Sequence, residues 1–118
     1  MVLVERWYEL RFRHDEVVSH LEWQLHKLHG LSLSDFDILD RLRLREPGSC
    51  HMRQLVSHHV SESAVSRAVA RLQERGFVER SLHPDDRRRV YVELTDAGRE
   101  RHAEASATHL AVLAEHLG

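Results

Sequence analysis

Between Leu3 and Leu28, largely apolar side chains return every three or four positions, at Leu3, Trp7, Leu10, His14, Val17, Leu21, Leu25 and Leu28. With 3.6 residues per turn they share one stripe, which predicts a long helix that stops just before Gly30. Ser32 stands three residues before Asp35, a capping-box variant that opens a second helix with Phe36, Leu39 and Leu42 inward; Pro47-Gly48 ends it. Met52, Leu55 and Val56 predict a short third helix. After a tight Val60-Ser61 connection, the Ser61 side chain is placed to cap a fourth helix over about Glu62 to Arg75. Val65, Ala68, Val69 and Leu72 give that helix a core face, while Ser63, Ser66, Arg67, Ala70, Arg71 and Glu74 point elsewhere.

Beyond the Gly76 stop the period shortens to two. Val78, Arg80 and Leu82 alternate with Glu79 and Ser81, and later Val90, Val92 and Leu94 alternate with Tyr91 and Glu93, which predicts a hairpin. Its tip, His83 to Arg89, is too polar for a core and contains a Pro-Asp turn. Thr95 then caps a last helix with Asp96 in its first turn, and Ala103, Ser106, Leu110, Leu113 and Leu117 form its stripe. The expected fold is mainly α, an α+β winged helix with a two-stranded wing. One domain spans residues 1–118, with terminal helices over 1–29 and 96–118 around a winged helix-turn-helix core over 31–95.

Composition narrows the function classes. The 118 residues include 42% hydrophobic and 31% charged side chains, as in an ordinary soluble domain. No apolar run approaches the ~20 residues of a membrane span, and charged residues among the first thirteen interrupt any signal-peptide core, so a cytoplasmic protein without membrane contact is expected. Cys50 stands alone, which excludes an internal disulfide. The net charge of −2 opposes phosphate, so contact with nucleic acid must rest on a local patch. Residues 49–99 carry nine basic and seven acidic side chains, whereas 1–48 carry seven and nine and 100–118 one and three. The middle segment is the place for a polyanion.

A tight turn, a helix with a serine and arginine outer face, and a hairpin bearing Arg87, Arg88 and Arg89 follow one another in the order of a winged helix-turn-helix. A helix fits the major groove, where arginine reaches guanine in bidentate fashion and serine serves base edge or phosphate. An arginine-bearing hairpin reaches the negative potential of a minor groove. The residues expected at double-stranded DNA are Ser61, Ser63, Ser66, Arg67, Arg71, Arg87, Arg88 and Arg89. The first helix would be ~38 Å long, too long for the compact middle to cover, so a twofold partner is expected to bury the terminal stripes. Two reading helices about 34 Å apart would then require a pseudo-palindromic site.

These residues resemble the MarR-type transcriptional regulators. The resemblance runs from Gly30-Leu31-Ser32-Leu33-Ser34-Asp35-Phe36 through Ser61-Glu62-Ser63-Ala64-Val65-Ser66-Arg67 and Leu72-Gln73-Glu74-Arg75-Gly76-Phe77-Val78-Glu79-Arg80. It continues through Pro84-Asp85-Asp86-Arg87-Arg88 to Val92-Glu93-Leu94-Thr95-Asp96-Ala97-Gly98. It implies a homodimer with paired terminal helices, Ser63, Ser66, Arg67 and Arg71 on the reading face, Arg87 and Arg88 at the wing contact, and Asp86 organising the wing. It further implies a repressor released by a small aromatic or phenolic effector near Trp7, His14 and Phe36. The family usually has a further C-terminal helix, so a chain stopping at Gly118 is expected to dimerise with less material.

Other readings compete for particular residues. Glu22, His26 and His29 share a helical face at metal-ligand spacing, set against a solvated helix end. His102, His109 and His116, with His14, are candidates for pH sensing at a dimer seam or for half-exposed flanking side chains. Cys50 is either a redox sensor at a helix start or a buried filler. No nucleophile elbow, phosphate-cradling glycine loop or His-Glu-x-x-His pair occurs, so neither enzyme activity nor a cofactor is expected. A winged helix used for protein contact would present an apolar or aromatic fourth-helix face, and this one is serine and arginine.

Overall fold

A computed structural model describes residues 1–57, 60–83 and 85–118, with the backbone alone for His83, Asp86 and Arg87. Helix α1 (Val2–His29) ends at Gly30, whose φ of 66° turns its N–H to the His26 carbonyl at 2.9 Å. A side chain there would strain the backbone. Only the second half of α1 packs down. Leu21 and Leu25 are buried and Val17 partly so, whereas Leu3, Trp7, Leu10 and Leu28 of the same stripe are exposed.

Helix α2 (Leu33–Leu44) opens with the full capping box. The Ser32 hydroxyl accepts the Asp35 N–H at 3.0 Å, and Asp35 Oδ2 accepts the Ser32 N–H at 3.2 Å, so two otherwise orphaned donors are satisfied. Its Phe36, Ile38, Leu39 and Leu42 are all buried. Strand β1 (Cys50–His51) follows, pairing antiparallel with Val92 and Tyr91. It adds a third strand beside the two of the wing, and two residues are too few to show a period in sequence.

The helix expected around Met52, Leu55 and Val56 is a single 3₁₀ turn over Met52–Leu55, with Val56 already extended. Only Leu55 of the three is fully buried, so the segment has one anchor rather than a helical face. Helix α3 (Glu62–Glu74) is capped by the Ser61 hydroxyl, which accepts the Ala64 N–H at 3.3 Å, and buries Val65, Ala68, Val69 and Leu72 as its spacing predicts.

Strands β2 (Val78–His83) and β3 (Asp86–Leu94) form the wing, giving a sheet in the order β1-β3-β2. Thr95 joins the wing to helix α4 (Asp96–Leu117): its hydroxyl accepts the Gly98 N–H and donates to the Gly76 carbonyl. At Gly98, α4 crosses so near the residue before β2 that an added Cβ would clash with the Phe77 carbonyl oxygen.

The row of α4 that faces the core is Gly98, His102, Ala105 and Val112. The stripe read from spacing lies beside this row: Ser106 and Leu113 are half-buried, Ala103 is exposed, and Leu110 and Leu117 are each 67% exposed. The inward row reads polar in sequence because His102 stands in it, and His102 is held by Asp40 at 2.8 Å and Ser106 at 3.2 Å. Phe36 stacks on His102 and, at 4.5 Å between ring centres, on His109. His102 is therefore a buried link between α2 and α4 rather than a half-exposed flank.

Candidate nucleic-acid interface

The outer face of α3 follows from its inner one. With four apolar residues locked into the core, Ser63, Ser66 and Arg67 are turned outward and are exposed. Ser61, besides capping the helix, lies 3.4 Å from the Ser63 hydroxyl. Arg71, expected on this face, reaches sideways: its Nη2 donates to Asp35 Oδ1 at 3.1 Å, joining α3 to the first turn of α2 while half the side chain stays exposed.

In the wing, Leu82 pairs with Val90, but the next residue of β2, His83, pairs with Asp86. One step on β2 thus spans four on β3, and Arg87, Arg88 and Arg89 fall in this register irregularity. The arginines expected in a turn belong to the first half of β3. Arg88 and Arg89 are exposed, while the side chains of Asp86 and Arg87 lie outside the described residues. Arg88 and Arg89 border a cleft of about 500 Å³ with His51, Arg53 and Gln54 of β1 and the 3₁₀ turn. Arg53 was not among the expected contacts, since a single arginine in a short polar turn carries no periodic signal.

Further cations of this region have partners within the chain. Arg75 donates to the Gly30 carbonyl and Arg101 to the His29 carbonyl, each at 2.6 Å, which places two guanidinium groups at the negative end of α1. Both also lie 4.9 Å from the Phe77 ring centre. Arg80 is bonded to Gln73, and Arg99 to Asp96 and Glu46.

The three residues expected around an effector are only partly brought together. His14 borders an open cleft of about 380 Å³ between α1, α2 and α4 with Leu21, Leu33, Asp37 and His109. Phe36 lies behind His109, whereas Trp7 is outside that lining and stacks beneath Arg11 instead.

Glu22, His26 and His29 do not converge. Glu22 accepts the Leu33 N–H, His29 meets the Thr108 hydroxyl at 2.7 Å, and His26 is exposed. Cys50 is buried, and burial pushes its thiol up against the opposing pull of Arg45 and Arg41, so the reactive thiolate is disfavoured.

A helix-turn-helix pair followed by a β hairpin between long terminal helices defines a winged helix-turn-helix protein. The sequence model of the MarR family matches residues 29–89, more than half of the chain, and the chain belongs to the MarR family. It is 35% identical over 75 residues to the uncharacterized HTH-type transcriptional regulator YkoM of Bacillus subtilis (strain 168), covering 63% of this chain and 47% of YkoM. The chain thus spans less than half the length of the curated relatives it matches.

Among solved structures it is similar to Sco3205, a MarR family transcriptional regulator from Streptomyces coelicolor in complex with DNA. The TM-score is 0.88 at 26% identity, over 94% of this chain and 70% of that one. It shares its fold with Bordetella bronchiseptica BpsR, whose DNA binding is regulated by 6-hydroxynicotinic acid. There the TM-score is 0.83 at 24% identity, over 97% of this chain and 85% of BpsR. The relatives are named for transcriptional regulation and not for catalysis.

Proposed function

We propose that this chain is a sequence-specific DNA-binding transcriptional regulator that acts as a cytoplasmic homodimer, with α3 in the major groove and the wing at the adjoining minor groove. The observation that carries the proposal is the division of α3 into a buried apolar face and an exposed face of Ser63, Ser66 and Arg67. Arg53, Arg88 and Arg89 around one cleft add a second cationic surface, in a chain whose net charge otherwise opposes phosphate. The complex of Sco3205 with DNA supports the same use of the shared fold.

Dimerisation is supported by apolar surface that the chain leaves uncovered: Leu3, Trp7, Leu10 and Phe12 on α1, and Leu110 and Leu117 on α4. Twofold pairing of these faces would bury them and set two copies of α3 about one DNA turn, ~34 Å, apart on a pseudo-palindromic site. We assign this chain the role of a repressor released by a small aromatic molecule in the cleft beside His14 and His109. That cleft opens between the terminal helices and α2, where an occupant can alter their relative placement.

The test is binding of the full chain to its own upstream DNA, by footprinting and by fluorescence anisotropy across salt. A protected twofold site, and an affinity that falls steeply with salt and is poorly competed by unrelated duplex, is the expected result. Equal affinity for every duplex would overturn sequence specificity.

A further inference from the structure

We propose that His20, Glu115 and His116 bind one divalent transition-metal ion of the zinc class where the middle of α1 meets the end of α4. The three side chains lie 95 or more positions apart in sequence between the two helices, and packing of α4 along α1 brings their ligand atoms within 4.8 Å of one another. His20 Nδ1 is 2.9 Å from His116 Nε2 and 3.7 Å from Glu115 Oε2. Two nitrogens each ~2.05 Å from one ion are separated by ~2.9 Å at a right angle and ~3.35 Å at the tetrahedral angle, so an ion entering between the imidazoles requires them to part by less than about half an ångström.

The two rings meet edge-on, with centroids 5.2 Å apart at 76°, and the proton of the hydrogen bond between their nitrogens is what an entering ion would displace. Glu115 is mostly exposed, and its carboxylate already lies within 4.8 Å of both imidazole nitrogens. Asp15 and Glu16, one turn before His20, border the same cleft and add negative potential that favours a cation. Two imidazoles and a carboxylate form the donor set of zinc sites that keep a fourth position for water. The ion would clasp α1 to α4. This site is separate from the α3 face and the wing, so the proposal stands independently of DNA binding.

The experiment is calorimetric titration of the untagged full chain with Zn²⁺, paired with thermal melting in the presence and absence of the ion. One ion per chain is expected, with a raised melting temperature because the ion binds the folded chain preferentially. His20→Ala and His116→Ala should each weaken binding about tenfold or more and remove the thermal shift, while His26→Ala changes neither. Melting without metal verifies that the variants fold. Absence of saturable heat, or a site that survives in the double variant His20→Ala/His116→Ala, would overturn the assignment; the latter would place the ion on other histidines.

Discussion

Arg71 of α3 and Asp35 of α2 are joined Nη2 to Oδ1 at 3.1 Å, and the same carboxylate uses its other oxygen to close the capping box on Ser32. One buried acid therefore holds both the start of α2 and the side of α3. Asp35→Ala removes the cap contact and leaves Arg71 without this partner, and should cost about 2 kcal/mol in urea denaturation. Arg71→Ala removes a half-exposed ion pair and should cost less than about 1 kcal/mol. A smaller loss for Asp35→Ala than for Arg71→Ala would contradict this assignment of roles.

Arg67 and Arg71 should differ at DNA as well. Arg67 is exposed and, among the described residues, makes no hydrogen bond or ion pair, whereas Arg71 is partly committed to Asp35. Arg67→Ala should weaken operator binding by about 1–3 kcal/mol, more than Arg71→Ala does. Anisotropy titrations of both variants on one duplex check the order.

In the proposed complex the arginines around the wing cleft would contact phosphate. Arg53→Ala and Arg88→Ala should each lower affinity on all duplexes alike and flatten the dependence of log K on log salt by about 0.9 per lost contact. An unchanged salt slope in both variants would remove the wing cleft from the interface.

Leu110 and Leu117 line the outer side of α4, each 67% exposed. Leu110→Glu/Leu117→Glu should leave helical content intact, because neither side chain is needed by the core of one chain. Light scattering should report twice the 13.8 kDa chain mass for the parent protein and the single mass for the variant, with operator affinity lost in parallel. A parent protein that stays at the single-chain mass at micromolar concentration would refute the dimer.

Burial raises the Cys50 thiol, so the folded chain holds the proton more tightly than the unfolded one. Its contribution to stability is therefore present below the ordinary thiol range and is lost as pH rises through the folded value. Alkylation by iodoacetamide at mildly alkaline pH should be slow in the native protein and fast in denaturant. Rapid native labelling would restore the redox reading.

Much of the architecture was legible along the chain. The capping serines Ser32 and Ser61, the stop at Gly30 and the four inward residues of α3 each act within a turn or two of themselves, so spacing alone reports them. The candidate site was legible in part for the same reason. A strictly amphipathic α3 names its own outer face, so Ser63, Ser66 and Arg67 follow from Val65, Ala68, Val69 and Leu72. The inward row of α4 was not legible, because His102 reads as surface until Asp40, Ser106 and Phe36 are seen around it.

The order of elements, their caps and the polarity of α3 were thus encoded locally, where hydrogen bonds and side-chain period involve near neighbours. Which group each arginine meets was a matter of long-range packing. Arg75 and Arg101 go to the end of α1, Arg71 to Asp35 and Arg99 to Glu46, while Arg53 meets Arg88 and Arg89 across a cleft. A guanidinium group carries the same charge in every case. Its role depends on which carboxylate or carbonyl the folded chain brings within hydrogen-bonding reach, and no local pattern contains that distance.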